Sequence, residues 1–181
     1  MACGVADGIA IVCVDIRRVG GVNKNAYVTN RSDITSYTID ASGYITNIVF
    51  VAYKGLFKFE SKKQAHSGGH ASQSQDPGGN KFYQHDVIMK LFAATPADDQ
   101  VLEDLLVADT VVILETNNKQ FKIFGKDNGM EVTTDVQNTG QADASDVADV
   151  ITMIGAEQKR PSEILNTNFA TTQNLLETYV I

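Results

Sequence analysis

The chain has 181 residues, 43% hydrophobic and 20% charged, with a formal net charge of −7. That length suits one domain with a genuine core, and the composition excludes a wholly disordered chain. The acidity argues against a nucleic-acid reader, because affinity for phosphate comes from clustered Lys and Arg that release counterions; the same sign suits a surface that DNA must pass without sticking.

Residues 1–7 lack the basic start of a signal peptide, and Asp7 and Asp15 interrupt the apolar stretch that follows, so assembly in a cytoplasm is the expectation. Cys3 and Cys13 are expected as buried free thiols, with no histidine nearby at metal-ligand spacing. Apolar runs such as residues 45–52 and 110–114 fall well short of the roughly 20 residues that cross a bilayer as a helix.

In chain order, residues 9–14 read as a first strand, Gly20-Gly21 breaks the chain, and residues 25–28 lead into the polar turn Asn30-Arg31-Ser32-Asp33. Residues 36–40 alternate polar with apolar, Asp40-Ala41-Ser42-Gly43 supplies turn chemistry, and residues 44–53 are rich in β-branched and aromatic side chains; together they predict a hairpin. Residues 56–59 continue the strand pattern. From residue 61 to 80 the composition turns to Ser, Gly, His, Gln, Asn and Lys, which predicts a long loop with almost nothing to bury.

Residues 81–91 regain strand character. Thr95 then suits an N-cap, Pro96 the first helical position, and Asp98 and Asp99 the first turn; Val101, Leu102, Leu105 and Leu106 follow as one apolar stripe, which predicts a helix. Residues 110–116 and 119–124 read as a hairpin with Asn117-Asn118 at positive φ in a type I′ turn. Gly125-Lys126-Asp127-Asn128-Gly129 is a second turn, residues 130–136 and 147–156 are strands around a polar loop, and residues 162–181 are left as a short helix plus an extended arm. The fold class expected is mainly β, a β-sandwich or barrel with one packed α-helix and a long loop between early strands. Residues 1–160 form its single domain and residues 161–181 an arm of the same domain.

No constellation for catalysis emerges. His66 and His70 have the i, i+4 spacing of a helical zinc pair, but Gly68-Gly69 between them removes the helix, so a solvated polar loop is the default. The glycine turn at residues 125–129 leads into a strand and leaves no helix N-terminus for phosphate, and Asn138 stands where a calcium loop needs its last acid. No Gly-x-Ser-x-Gly elbow occurs, and Asp98-Asp99 and Glu103-Asp104 read as the solvated face of a helix. No enzyme activity, cofactor or metal is expected. Residues 98–149 are rich in acids against Lys119, Lys122 and Lys126, whereas Lys58, Lys62, Lys63 and Lys81 flank the polar stretch, an asymmetry through which one copy can meet another.

Several blocks resemble virion structural proteins of tailed phages: Cys3-Gly4 with Cys13, Gly20-Gly21-Val22 before Tyr27-Val28, and Asp40-Ala41-Ser42-Gly43-Tyr44-Ile45. So does the run from Ala108 to Asn118, followed by Phe124-Gly125-Lys126-Asp127-Asn128-Gly129-Met130-Glu131-Val132. The order of elements is similar to that of the phage tail tube family. The resemblance implies hexameric rings whose inner strands join into a barrel around a lumen, with the long loop reaching the next ring. Lys62, Lys63, His66, Gly68, Gly69, His70, Gln73, Asp76 and Lys81 are then the expected contacts between subunits and rings. The implied partners are copies of the chain and other tail proteins, with DNA passing through unbound and no membrane involved; the implied location is the virion. A neck, tail terminator or capsid decoration subunit is the alternative, and a small acidic β enzyme or ligand-binding barrel a third class, whose mark is a pocket with convergent polar groups.

Overall fold

The structure, a computed structural model, describes residues 20–62, 65–74, 81–92, 95–138 and 148–181. Strands β1 (Val22–Asn30), β2 (Ile34–Ile39), β3 (Ile45–Phe50), β4 (Phe57–Glu60), β5 (Ser67–Ser74) and β6 (Lys81–Leu91) precede helix α1 (Pro96–Leu106). Strands β7 (Thr110–Thr116), β8 (Gln120–Phe124), β9 (Glu131–Asn138), β10 (Ala148–Glu157) and β11 (Ser162–Ile164) lead to helix α2 (Phe169–Thr178). The chain is mainly β, in a seven-stranded sheet of order β2-β3-β11-β8-β7-β1-β4 and a four-stranded sheet of order β5-β6-β10-β9. The expected strand at residues 9–14 and both cysteines lie outside the described residues.

The larger sheet is apolar on both faces. One face, with Ala26, Val28, Val112, Leu114 and Phe124, packs on Val87, Met89, Ile151 and Met153 of the smaller sheet, and α1 adds Leu102 and Leu105 to that layer. The other face, with Tyr27, Val111, Ile113, Phe121, Ile123 and Ile164, is covered by Leu56 and Leu176. Strand β7 is therefore buried at every position from Thr110 to Glu115, which explains a continuous apolar run where a half-exposed strand would alternate. Glu115 survives there because Asn23 donates to its carboxylate at 2.6 Å.

Helix α1 starts as its sequence predicts. Thr95 accepts from the Asp98 N–H while the Asp98 carboxylate accepts from the Thr95 N–H, a reciprocal box with Pro96 just inside. The hairpin β7–β8 differs in its turn: the positive φ falls on Lys119, at 59°, and not on the asparagine pair. Residues 117–119 thus form a three-residue loop that ends in a left-handed residue, in place of a two-residue I′ turn.

The polar stretch also departs from expectation, since residues Ser67–Ser74 are a strand. The short helix expected in residues 162–181 is α2, but the rest of that stretch packs on the sheet and does not extend as an arm. Asn168 caps α2 through the Thr171 N–H, Phe169 stacks on Phe121 at 5.2 Å, and Tyr179 meets Phe50 edge-on at 5.2 Å. Glu177 accepts from the Tyr27 hydroxyl at 2.8 Å and pairs with Lys58 at 2.8 Å, which holds its carboxyl below the ordinary value. The terminus is tied in by Leu56 N–H to the Tyr179 carbonyl and Ile181 N–H to the Leu56 carbonyl. Sequence alone missed this because the apolar residues of 162–181 need a sheet face before their spacing means anything.

If α2 is part of the core, Leu176→Ala should cost about 2–5 kcal/mol, read as a shift in the urea midpoint. A change below about 0.5 kcal/mol, the range of ordinary surface substitutions, would show that the helix is dispensable.

Candidate assembly surfaces

Strand β5 is almost devoid of apolar side chains, yet it pairs with β6 along its whole length, from Ser67 opposite Ile88 to Ser74 opposite Lys81. Its glycines permit close approach. A Cβ on Gly68 would sit 2.7 Å from Leu114 Cδ1 and 2.8 Å from Phe124 Cζ, and one on Gly69 would sit 3.1 Å from the Asp86 carboxylate. The stretch is ordered by backbone pairing on a neighbour that supplies the burial, an arrangement that composition cannot reveal.

The nine residues expected as contacts do not form one patch. Lys63 and Asp76 lie outside the described residues. Lys62 sits over the Phe92 ring at 4.5 Å, beyond the Leu91 end of β6. Gln73 and Lys81 stand at the opposite end of the β5–β6 pair. His70 lies beside Tyr83, with ring centroids 6.0 Å apart. His66 is buried, and neither ring nitrogen makes a hydrogen bond. Among the described residues no three His, Cys, Asp or Glu side chains are arranged to hold a metal ion.

What the two sheets do present is backbone. Among the described residues no strand pairs with the outer edge of β5 or β9, nor with that of β2 or β4. Each such margin is a row of N–H and C=O groups ready to take another strand. Outward from the smaller sheet point the partners Gln84 and Ala156, Asp86 and Ile154, Ile88 and Thr152, and Lys90 and Val150, alternating with the buried positions of β6 and β10. Val136 of β9, half exposed, continues that face. Its charges are few: Asp86 and Lys90 of opposite sign, and Glu131 opposite Ile154.

The corner below β10 is locked by residues whose role the sequence reading missed. The buried Glu157 carboxylate accepts the N–H groups of Asp127 and Asn128, both at 2.9 Å, and Asn128 donates to the Ala156 carbonyl at 2.6 Å. His85 Nδ1 accepts from the Gly125 N–H at 3.3 Å and Nε2 faces the Lys159 carbonyl at 2.9 Å, which selects the Nε2–H tautomer. Gly125 and Gly129 hold φ of 69° and 85°, where glycine alone is unstrained. Glu157, the last residue of β10, gave no signal because its partners lie 29 and 30 residues earlier in the chain.

No family model matches this chain, and neither a curated protein nor a solved structure is similar to it at a significant level. The reading of its surfaces therefore rests on its own geometry.

Burial holds both His66 and His85 below the ordinary histidine value of 6.5, against weaker opposition from the backbone of Lys24 and of Lys159 respectively. The unfolded chain then takes up protons first as pH falls, so their contribution to stability is intact above about 6.5 and is lost progressively below it. His66→Phe should flatten the fall in urea stability between pH 7 and pH 5. An unchanged slope would show that His66 is not a titrating contributor.

Proposed function

We propose that the chain is a non-catalytic subunit of a phage tail tube. It closes into rings with copies of itself, six-fold as in that family, stacks them alongside other tail proteins, and leaves a channel through which DNA passes unbound. The observation that carries this reading is the pair of margins on the four-stranded sheet that no strand takes up among the described residues. Strand directions alternate through β5, β6, β10 and β9, so β9 of one copy laid against β5 of the next continues the antiparallel pattern. The two margins differ, so the contact is head-to-tail and repeats until rotation closes it. Closure removes edges that otherwise invite aggregation.

The outward face of that sheet supports the second half of the reading. Among the described residues its polar and small apolar side chains offer no cluster of Lys and Arg for phosphate, which suits a channel that DNA passes unbound. The work is done by shape, with no cofactor and no membrane.

Purified protein at high concentration should show rings or tubes by negative staining and a mass of several copies by light scattering; a dispersed monomer under all conditions would sink the reading. Ala71→Pro and Ser72→Pro probe the margin itself, because consecutive N–H groups of β5 point to opposite sides. One substitution should cost about 3 kcal/mol of stability by removing a ladder bond to β6. The other should leave the fold intact and stop ring closure. Assembly that survives both would exclude β5 as a joining edge.

A further inference from the structure

At one end of the four-stranded sheet is a pocket of about 250 Å³, lined by Asp99, Leu102 and Glu103 of α1, Asp135 and Gln137 of β9, and Asp149 of β10. Asp149 is only 5% exposed, and among the described residues it makes no hydrogen bond or ion pair. Burial raises its carboxyl above the ordinary value, and the charges of Asp135 and Asp99 raise it further. Helix α1 carries no Lys or Arg between Pro96 and Leu106. Lys62 and Lys90 lie against the Phe92 ring, at 4.5 Å and 5.7 Å, and neither lines the pocket. A buried carboxylate among three others is a costly arrangement until a cation joins it.

The cation is available on the far end of the same sheet. Strand β10 spans Ala148–Glu157, about 30 Å of extended chain. Beyond its last residue Lys159 and Arg160 are exposed, with exposed Lys81 at the neighbouring end of β6. Arg160 lies over the Tyr83 ring at 5.8 Å, which supports its stem while leaving the guanidinium donors unused by any ion pair among the described residues.

We infer that the pocket of Asp99, Glu103, Asp135 and Asp149 is a socket for the basic corner of a second copy, with Arg160 as the side chain that enters. The 30 Å between socket and corner prevents one copy from satisfying itself. A guanidinium suits the site because its fork of donors engages two carboxylates at once. The contact runs along the strands, at right angles to the edge pairing, so it joins copies end to end. The inference shares with the proposed function the premise of self-assembly, and adds which ends meet. The four carboxylates are not arranged to hold a metal ion, which favours a side chain as the occupant.

The test uses the full chain in three forms: Glu103→Lys with Asp135→Lys, both exposed positions; Lys159→Glu with Arg160→Glu; and Asp149→Asn, which keeps the side-chain shape. Each charge-reversed form alone should lose end-to-end association by tenfold or more, about 1.4 kcal/mol or above, in sedimentation velocity. The first form retains an intact basic corner and the second an intact socket, so mixing them should restore one junction, which then stops. Asp149→Asn should weaken association yet raise the melting temperature of the dispersed protein, a combination that a purely structural role does not produce. Circular dichroism confirms that each form is folded. The inference is overturned if the reversed forms associate like the parent, if mixing restores nothing, or if association follows added calcium and not Lys159 and Arg160. Rings that form and stack unaltered by these changes would overturn the inference alone. End-to-end chains without rings would overturn the ring reading alone, and a parent protein dispersed at every concentration would overturn both.

Discussion

Everything in this fold follows from a seven-stranded sheet whose central strands are apolar on both faces. Such a sheet needs two covers. The four-stranded sheet with α1 supplies one, and the turn into β4 and helix α2 supply the other. At about 25 cal/mol per Å² of apolar surface removed from water, each layer contributes far more than any single polar contact described above. The ion pairs are adjuncts to it. The Lys58–Glu177 pair stands at the rim of the α2 layer with both partners partly solvated, where such pairs contribute little, although the Tyr27 hydroxyl that shares Glu177 orients the helix.

Covering the faces does nothing for the margins. A sheet sandwiched on both sides still ends in two rows of backbone groups, and this molecule has two sheets. The smaller one is the more exposed case, because β5 offers no side chains of its own to shield its edge: its outward positions are Ser67, Gly69, Ala71 and Gln73. The same smallness that lets β5 approach Leu114 and Phe124 leaves its outer edge free of the charges, prolines and bulges with which solitary sheets protect themselves.

Much of this was legible in the sequence, and the exceptions have physical causes. Strands β6 and β7 and the start of α1 carry local signals, namely alternation, β-branching and a capping box, that hold whatever the rest of the chain does. Strand β5 carries none, since Ser-Gly-Gly-His-Ala-Ser-Gln-Ser becomes a strand only once β6 is beside it. The Asn117-Asn118 turn was misplaced by one residue because loop length, and so the left-handed position, depends on the register of β7 with β8. Of the expected contact residues, Gln73 and Lys81 share one end of the sheet while Lys62 sits at the other and His66 is buried. Proximity along the chain is a poor guide here, because an antiparallel pair carries its flanking segments to opposite ends.

That separation of ends gives the molecule a polarity which composition conceals. A net charge of −7 describes a sphere, whereas these charges are disposed along an axis, with acids gathered where β9 and β10 meet α1 and bases where β10 runs out. Two identical copies repel through their net charge at long range, and salt screens that repulsion beyond about 10 Å at 0.1 M. At contact the local pairing of opposite ends dominates, because docking takes the entering guanidinium and the carboxylates it meets out of water, which strengthens their interaction. Repulsion at a distance and attraction at one registered contact together favour ordered growth over collapse. A buried aspartate with no partner among the described residues is tolerable on those terms: its cost falls on the separate copy, and relief comes when the next one docks.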